Sequence, residues 1–332
     1  MLVAALAGCA KQPSASSGGT PAGGKPPFSV GLVFDVGGRG DKSFNDSAYR
    51  GLERAKHELG VPYSFVETAE GSDREAGLRQ LAAGDAALVF GVGFLFTDDI
   101  HKLALEFPNK KFACIDYTVN PGDTLPPNLA ALKFKEEEGS FLVGALAALV
   151  SRTDKVGFVG GMEIPLIKKF EAGYVAGVHA VRPHDQVLIK YAGTTGEAFK
   201  DPTKGYELGL AEYNAGADVI FHASGSTGRG VFQAAVKMDR LAIGVDSDQY
   251  DEAPGHVLTS MVKGVDVSVF DTIRDLKAGV WKGGVQTFGL AEHGVSWVYD
   301  DRNRAMIPAP VKATVDSLER EIVAGRIVVP DR

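Results

Sequence analysis

The chain has 332 residues, of which 45% are apolar and 23% charged, a composition typical of a globular protein and long enough for two domains of about 150 residues each. The net charge is −7 and the pI is about 5.6, which gives no sign of the clustered basic face that nucleic-acid binding requires. No stretch of about 18 consecutive apolar residues is present, so we expect no membrane-spanning helix.

The N-terminus carries a candidate lipidation signal. Residues 1–9 read MLVAALAGC, and the final Leu-Ala-Gly-Cys is a bacterial lipobox, in which small residues fit the lipoprotein peptidase and the thiol of Cys9 receives diacylglycerol. Residues 10–27 consist mainly of Ser, Gly, Pro, Ala, Thr and Lys, so they cannot bury apolar surface and are predicted to form a disordered tether. The alternative for Cys9 is an incidental cysteine in an apolar N-terminus.

The segment Val30 to Gly51 predicts the start of an α/β fold with polar groups at a strand end. An apolar strand ends at Asp35, a glycine-rich loop follows, and an amphipathic helix begins near Ser43. Ligands of open parallel sheets bind at the carboxyl ends of strands, where Asp35, Phe44 and Asn45 would present an acid, an aromatic face and an amide. That combination suits a ligand with hydroxyls, a flat ring and ring nitrogens. The alternative is structural: Asp35 bonds loop amides, Ser43 caps the helix and Phe44 packs against it.

The same stretch resembles a family signature. Residues 35–45, DVGGRGDKSFN, are similar to the pattern D-x-G-G-x-x-D-x-S-F-N that opens the basic membrane protein (Bmp) family of bacterial lipoproteins. The best-understood members of that family are purine nucleoside receptors that serve ABC transporters. The resemblance extends over most of the chain after Phe28. It implies a purine nucleoside as the ligand, an ABC transporter permease as the partner and the cell membrane as the location.

The elements that follow predict two similar α/β halves. Candidate strands of the first half are 30–35, 63–67, 86–91 and 111–116, with helices near 43–59, 73–83 and 98–107. Candidate strands of the second half are 155–160, 186–193, 218–223 and 241–246, with helices near 166–181, 202–215 and 228–238. This alternation of strands and helices predicts a parallel sheet in each half.

Two doubly wound parallel-sheet lobes that face each other across a cleft describe a type I periplasmic binding protein, and the resemblance to the Bmp family implies the same fold. In this architecture the chain crosses between the lobes three times. Extended segments predict these crossovers near Phe134, Gly264 and Gly283. The two lobes predicted from the crossovers are residues 28–134 plus 264–283 and residues 135–263 plus 284–332.

Two more aspartates end candidate strands. Asp116 closes the run FACID and Asp246 closes AIGVD. Parallel strands direct all such ends to one edge, so both side chains could line one cleft with Asp35. In the Bmp family these positions look like base and ribose contacts, and Lys263 in TSMVKG looks like the ligand-contacting lysine. For each aspartate alone, a loop or helix cap is the alternative.

Three residues of the second half are further candidates. Gly225 lies in GSTGRG, which follows a strand and opens a helix, so its backbone can approach a ligand closely. The family usually carries A-G-G-T-G where this chain has SGSTG. Phe199 resembles the aromatic residue that precedes Asp-Pro-x-Lys-Gly in the family, although this chain carries additional residues before it. Phe221, in the strand DVIFHA, is the other candidate for a second stacking ring, with core packing as the alternative.

No catalytic motif is recognisable. The chain has no G-x-S-x-G elbow, no H-E-x-x-H and no paired C-x-x-C, and its seven histidines lack metal-ligand spacing. His222 and Ser224 lie two apart on a strand, but Ser-His catalysis also needs an oriented acid and oxyanion donors. We therefore predict neither an enzyme nor a bound metal or cofactor.

These features lead to one functional hypothesis. The protein is expected to be a lipid-anchored, extracytoplasmic substrate-binding protein that closes two lobes on a purine nucleoside and delivers it to an ABC permease. The expected roles are stacking on the base for Phe44, hydrogen bonds to the base edge for Asn45 and Asp116, and ribose contacts for Asp35, Asp246 and Lys263. The alternatives are the same fold binding riboflavin or a free purine base, and a sensory or regulatory ligand-binding domain.

Overall fold

The computed structural model describes residues 28–68 and 73–332, which fold into two α/β lobes. The predicted lipoprotein signal with Cys9 and the predicted tether lie outside the described residues. Strands and helices of the first lobe alternate in the order β1 (Ser29–Phe34), α1 (Phe44–Leu59), β2 (Tyr63–Glu67), α2 (Arg74–Ala83), β3 (Ala86–Val92), α3 (Thr97–Glu106), β4 (Lys111–Ile115) and β5 (Leu129–Phe134).

The second lobe repeats this alternation. Its elements are α4 (Glu136–Val150), β6 (Lys155–Met162), α5 (Pro165–Val181), β7 (Gln186–Gly193), α6 (Pro202–Asn214), β8 (Val219–Ala223), α7 (Gly228–Met238), β9 (Leu241–Asp246) and β10 (Val257–Lys263). The chain then continues through α8 (Val265–Lys277), β11 (Gly284–Phe288), β12 (Val295–Trp297) and α9 (Ala309–Val323). Among the described helices, none combines the length and apolar character needed to cross a bilayer.

Each lobe has a six-stranded sheet with the same winding. The strand order is β11-β5-β4-β3-β1-β2 in the first lobe and β12-β10-β9-β8-β6-β7 in the second. Neighbouring strands are parallel except for β12, which runs antiparallel to β10. The central strands are almost continuous apolar runs, as expected where helices cover both faces of a parallel sheet. This arrangement confirms the predicted α/β class with two doubly wound lobes.

The third crossover lies further along the chain than predicted. The sequence assigned residues 284–332 to the second lobe, but β11 pairs in parallel with β5 of the first sheet, from Gly284 opposite Ala130 to Phe288 opposite Phe134. The prediction was wrong here because the glycine-rich segment before β11 suggested a hinge. The strand forms at a sheet edge, where the ladder of hydrogen bonds comes from β5, a partner far away in the sequence.

Helices α4 and α5 pack closely against each other, and the start of α5 forms part of one wall of the cleft. A Cβ atom added at Gly144 of α4 would lie 2.2 Å from the carbonyl oxygen of Tyr174, and one at Gly177 of α5 would lie 2.0 Å from that of Phe141. Only glycine permits this approach of the two backbones. Because α5 is held so close to α4, its first turns reach the gap between the lobes.

Candidate ligand-binding site

A cavity lies between the two lobes, at the carboxyl ends of both sets of parallel strands. It comprises about 560 Å³ of space free of protein atoms, part of which is open to solvent. Eight of the nine predicted ligand-binding residues line it, namely Asp35, Phe44, Asn45, Asp116, Phe199, Gly225, Asp246 and Lys263. Residues far apart in the sequence therefore meet in one place, because parallel strands present their carboxyl ends on the same edge.

Phe221 does not line the cavity. Its side chain is fully buried in the core of the second lobe, where its ring lies 5.4 Å from that of Tyr174 and 5.7 Å from that of Phe158. The prediction of Phe221 as a stacking ring is therefore wrong. Alternate residues of a strand point to opposite faces, and Phe221 lies on the face of β8 that packs on Tyr174 of α5.

Asp41 organises the loop before α1. Its buried carboxylate accepts hydrogen bonds from the backbone N–H groups of Ser43 at 2.9 Å and Asp46 at 3.1 Å through Oδ1. Its Oδ2 accepts another from the N–H of Asn45 at 2.8 Å. Ser43, the predicted helix cap, makes no capping bond; its hydroxyl donates to Oδ2 of Asp246 in the second lobe at 2.7 Å. The structural interpretation of Ser43 was wrong, and the residue instead joins the lobes.

Asp35 and Asn45 share this loop. The amide oxygen of Asn45 accepts the N–H of Asp35 at 3.0 Å, and its amide nitrogen donates to Oδ2 of Asp41 at 3.1 Å. Asn45 therefore lines the cavity but uses its polar atoms to hold the loop. Oδ1 of Asp35 accepts the N–H of Val36 at 2.8 Å, and burial raises the pKa of Asp35 to about 7. Opposite it, a Cβ atom at Gly93 would lie 2.1 Å from Oδ2 of Asp35, so only glycine fits there.

Asp116 and Asp246 occupy equivalent positions in the two lobes. Asp116 follows β4, Asp246 ends β9, and these strands have the same place in their sheets. Both residues adopt a left-handed backbone conformation, with φ of 60° and 63°. Such conformations cost free energy in residues other than glycine and concentrate at functional sites. Burial raises the pKa of Asp246 to about 6.

Lys263 is the cation of the cavity and is fully buried. Its Nζ lies 2.6 Å from Oδ2 of Asp116 and 3.2 Å from Oε1 of Glu136. The ring centroids of Phe44 and Phe170 lie 5.0 and 5.7 Å from the same nitrogen. Burial alone would lower the pKa of Lys263, but the surrounding carboxylates together raise it above its usual value. The lysine is therefore charged and links carboxylates of both lobes.

Four phenylalanines face the cavity from both lobes. Phe44 and Phe199 were predicted, and the additional residues before Phe199 do not displace it from the site. Its ring packs against Gly161, where a Cβ atom would lie 2.2 Å away. Phe94 and Phe170 were not predicted as site residues. Phe94 lies two residues after the end of β3, so its position near a strand end would have predicted it.

Ser224 and His222 are joined by a hydrogen bond of 3.4 Å, but no carboxylate among the described residues completes a triad. The other ring nitrogen of His222 faces the amide oxygen of Gln249 at 3.1 Å. Burial lowers the pKa of His222 to about 4, so the ring is neutral. Within the described parts of the chain, no group of three or more His, Cys, Asp and Glu side chains is arranged to hold a metal ion.

Residues 28–332 match the family profile described as ABC transporter substrate-binding protein PnrA-like. The ABC transporter nucleoside-binding protein BmpA of Lactococcus lactis is 32% identical, over 99% of this chain and 96% of its own. An uncharacterised lipoprotein of Pyrococcus horikoshii is 38% identical over 81% and 68%. The crystal structure of an ABC transporter solute-binding protein from Aeropyrum pernix superposes with a TM-score of 0.83 at 29% identity, covering 92% of this chain and 94% of that one.

These matches confirm the predicted family, the predicted fold and the prediction of a binding protein rather than an enzyme. The chain belongs to the Bmp family of ABC transporter substrate-binding proteins.

Proposed function

We propose that the protein binds a purine nucleoside, such as guanosine, inosine or adenosine, in the interlobe cavity and delivers it to an ABC permease. The observation that carries the proposal is the buried pair of Asp116 and Lys263 beside aromatic rings. Oδ2 of Asp116 is bonded to the lysine, whereas Oδ1 is buried without a hydrogen-bond partner among the described residues. A buried acceptor of this kind is costly unless a ligand supplies an O–H or N–H group.

The remaining side chains suit the two halves of a nucleoside. Phe44 and Phe199 line the cavity from opposite lobes, and stacking of a base on an aromatic ring contributes about 1 to 3 kcal/mol. Asp35, Asp246 and Lys263 offer charged partners for ribose hydroxyls, and such bonds contribute roughly 1.5 to 3 kcal/mol each. Asn45 supports the loop that carries Phe44 through two hydrogen bonds and also lines the cavity, where its amide can meet the base edge.

The charge of the cavity favours a neutral ligand. Among the described residues that line it, four are aspartates, Asp35, Asp41, Asp116 and Asp246, and one is a lysine, Lys263. A phosphate group would therefore meet net repulsion inside the cavity, and we expect nucleosides to bind in preference to nucleotides. The name of the Lactococcus relative, a nucleoside-binding protein, supports the same ligand class.

We also propose that the protein is held at the outer face of the cell membrane by a lipid on Cys9. The lipobox and the tether sequence support this proposal, as does the lipoprotein name of the Pyrococcus relative. The test is incorporation of radiolabelled palmitate in cells, which we expect in the wild type and not in Cys9→Ala. Equal labelling of both would contradict the proposal, and an unlabelled protein in the cytoplasm would favour a regulatory role.

Calorimetric titration of protein lacking residues 1–9 tests the ligand. The panel contains guanosine, inosine and adenosine, with free purines, riboflavin, nucleoside monophosphates and simple sugars for comparison. We expect one nucleoside per protein at micromolar affinity or tighter, which corresponds to about 8 kcal/mol, and weak binding of free bases. No heat with any nucleoside would contradict the proposal. Tighter binding of riboflavin or of a free base would replace the nucleoside with that ligand.

A further inference from the structure

The side chain of Gln249 connects three parts of the molecule. It is 2% exposed and lies just after β9 in the second lobe. Its amide oxygen accepts the backbone N–H of Val245 at 2.8 Å and faces Nε2 of His222 at 3.1 Å. Its amide nitrogen donates to the backbone carbonyl of Lys42 in the first lobe at 3.1 Å. One amide therefore joins two strands of the second lobe to the loop before α1.

The hydrogen-bond directions in this network follow from its two backbone ends. The N–H of Val245 can only donate and the carbonyl of Lys42 can only accept, so the orientation of the Gln249 amide is fixed. Its oxygen then requires a proton on Nε2 of His222. Because the buried ring is neutral, its Nδ1 is an acceptor and receives the hydroxyl proton of Ser224. Ser224 lines the cavity, so the hydrogen-bond network runs from the cavity wall in the second lobe, through His222 and Gln249, to the loop before α1 in the first lobe.

The carbonyl of Lys42 is held in position for this bond. Lys42 has a φ of 56°, an unusual value for a residue with a side chain, and its N–H donates to Oδ2 of Asp46 at 3.1 Å. Phe44 follows two residues later and faces the cavity. The bond between Gln249 and Lys42 therefore acts on the loop that carries a proposed stacking ring.

We propose that Gln249 is a positioning residue for lobe closure, a latch whose amide holds the Lys42 carbonyl in the closed form and prolongs ligand residence. This inference rests on the proposed binding of a nucleoside between the lobes. Separation of the lobes must break the bond, because its donor and acceptor belong to different lobes. The bonds of Gln249 with Val245 and His222 lie within one lobe and survive opening.

Two substitutions separate the latch from a purely structural role. In Gln249→Glu the carboxylate still accepts from Val245 and His222, but it cannot donate to Lys42 and repels the carbonyl. Gln249→Met removes all three bonds. Gln286→Glu is the matched control, because the Gln286 amide also donates to a backbone carbonyl, that of Lys282, but without joining the lobes.

The experiment measures nucleoside dissociation by stopped flow and lobe closure by fluorescence transfer between dyes on His57→Cys and Lys237→Cys, one on each lobe. At pH 8 we expect Gln249→Glu to release nucleoside roughly 3- to 10-fold faster, as loss of one hydrogen bond implies, and to populate the closed form less. Its ligand-free melting temperature should fall less than that of Gln249→Met, because the carboxylate keeps the bonds from Val245 and His222. Gln249→Met should show the faster release together with a lower melting temperature, and Gln286→Glu neither.

Equal dissociation rates and equal closed fractions in wild type and Gln249→Glu would overturn the latch. A wild-type protein that binds no nucleoside is a different failure, since it removes the proposed function. In that case the latch is tested by the closed fraction of the ligand-free protein. We expect this fraction to be smaller in Gln249→Glu than in wild type, and equal fractions would overturn the latch.

Discussion

Lys263 and Asp116 form a buried ion pair that joins the two lobes inside the cavity. Nζ of Lys263, at the end of β10, lies 2.6 Å from Oδ2 of Asp116, which follows β4, and both side chains are almost fully buried. The pair places one positive charge among the carboxylates that line the site. The two residues that join the lobes therefore also line the cavity in which we propose that the ligand binds.

Loss of Lys263 should leave buried carboxylates without compensation. We expect Lys263→Met to lower the free energy of unfolding of the closed protein by about 3 to 5 kcal/mol and to weaken nucleoside binding at least tenfold. Adding Asp116→Asn should restore part of the stability but not the binding. Urea denaturation and calorimetry measure the two effects, and a double variant no more stable than Lys263→Met would contradict the pairing.

The cavity rings and the core ring should respond differently to truncation. Phe44→Ala and Phe199→Ala should each weaken nucleoside binding about tenfold or more while leaving the melting temperature almost unchanged. Phe221→Ala, which empties core space in the second lobe, should cost about 3 to 5 kcal/mol of stability. Thermal unfolding and titration of all three variants check this contrast. A large fall in melting temperature for Phe44→Ala would instead favour the packing interpretation of that residue.

Affinity and stability should depend on pH in opposite directions. Burial raises the pKa of Asp35 to about 7 and that of Asp246 to about 6, so both lose their charge as the pH falls through these values. The charged acceptors that we propose for ribose hydroxyls are then lost, so nucleoside affinity should fall between pH 8 and pH 5.5. The unfolded chain releases these protons near the ordinary value of 3.8, so the contribution of both groups to folding stability is full below that pH and declines as the pH rises towards 7.

Titrations at several pH values with Asp35→Asn as the comparison check this prediction. The variant should lose the part of the pH dependence near pH 7 and keep the part near pH 6. An affinity that stays constant from pH 8 to pH 5.5 would show that neither carboxylate meets the ligand.

Another buried acid, Glu212 in α6, lies away from the cavity. It is fully buried, and neither carboxylate oxygen has a hydrogen-bond partner among the described residues. Burial raises its pKa to about 9, so the folded protein keeps a proton that the unfolded chain releases near 4.5. The stability that this group contributes is therefore lost progressively as the pH rises from 4.5 to 9.

Glu212→Gln should remove that loss. The free energy of unfolding of Glu212→Gln relative to wild type should rise with pH between pH 5 and pH 8, by up to about 1.4 kcal/mol per pH unit. Denaturant unfolding between pH 5 and pH 9 measures it. The exposed Glu207→Gln of the same helix is the control and should show no such trend; a difference for Glu212→Gln that is flat with pH would contradict the account.

Much of the fold could be predicted because buried parallel strands are apolar runs separated by amphipathic helices. The strand-end rule then located Asp35, Asp116 and Asp246 without knowledge of their partners. An edge strand such as β11 has no comparable pattern, since its stability comes from a neighbour distant in the sequence. Because β11 was not recognised, the predicted boundary between the lobes was placed before Gly284 instead of after the strand.

The finer features of the site depend on which face of a sheet or helix each side chain occupies and on the register of neighbouring strands. A single sequence does not reveal either. Whether Phe221 points to the core or the cavity is decided by the sheet face it occupies. Ser43 has the residue type and position of a helix cap, yet Asp41 takes that role and frees the Ser43 hydroxyl for Asp246. Phe170 fits helix packing by its spacing, and only the close packing of α5 on α4 brings its ring to the cavity.

A crystal structure of the protein grown with guanosine would show where and how the ligand binds. We predict one guanosine in the interlobe cavity, with its base between the rings of Phe44 and Phe199 and hydrogen bonds to Oδ1 of Asp116 and to Lys263. Guanosine bound outside this cavity, or an interlobe cavity left empty by a protein that binds guanosine in solution, would contradict the account.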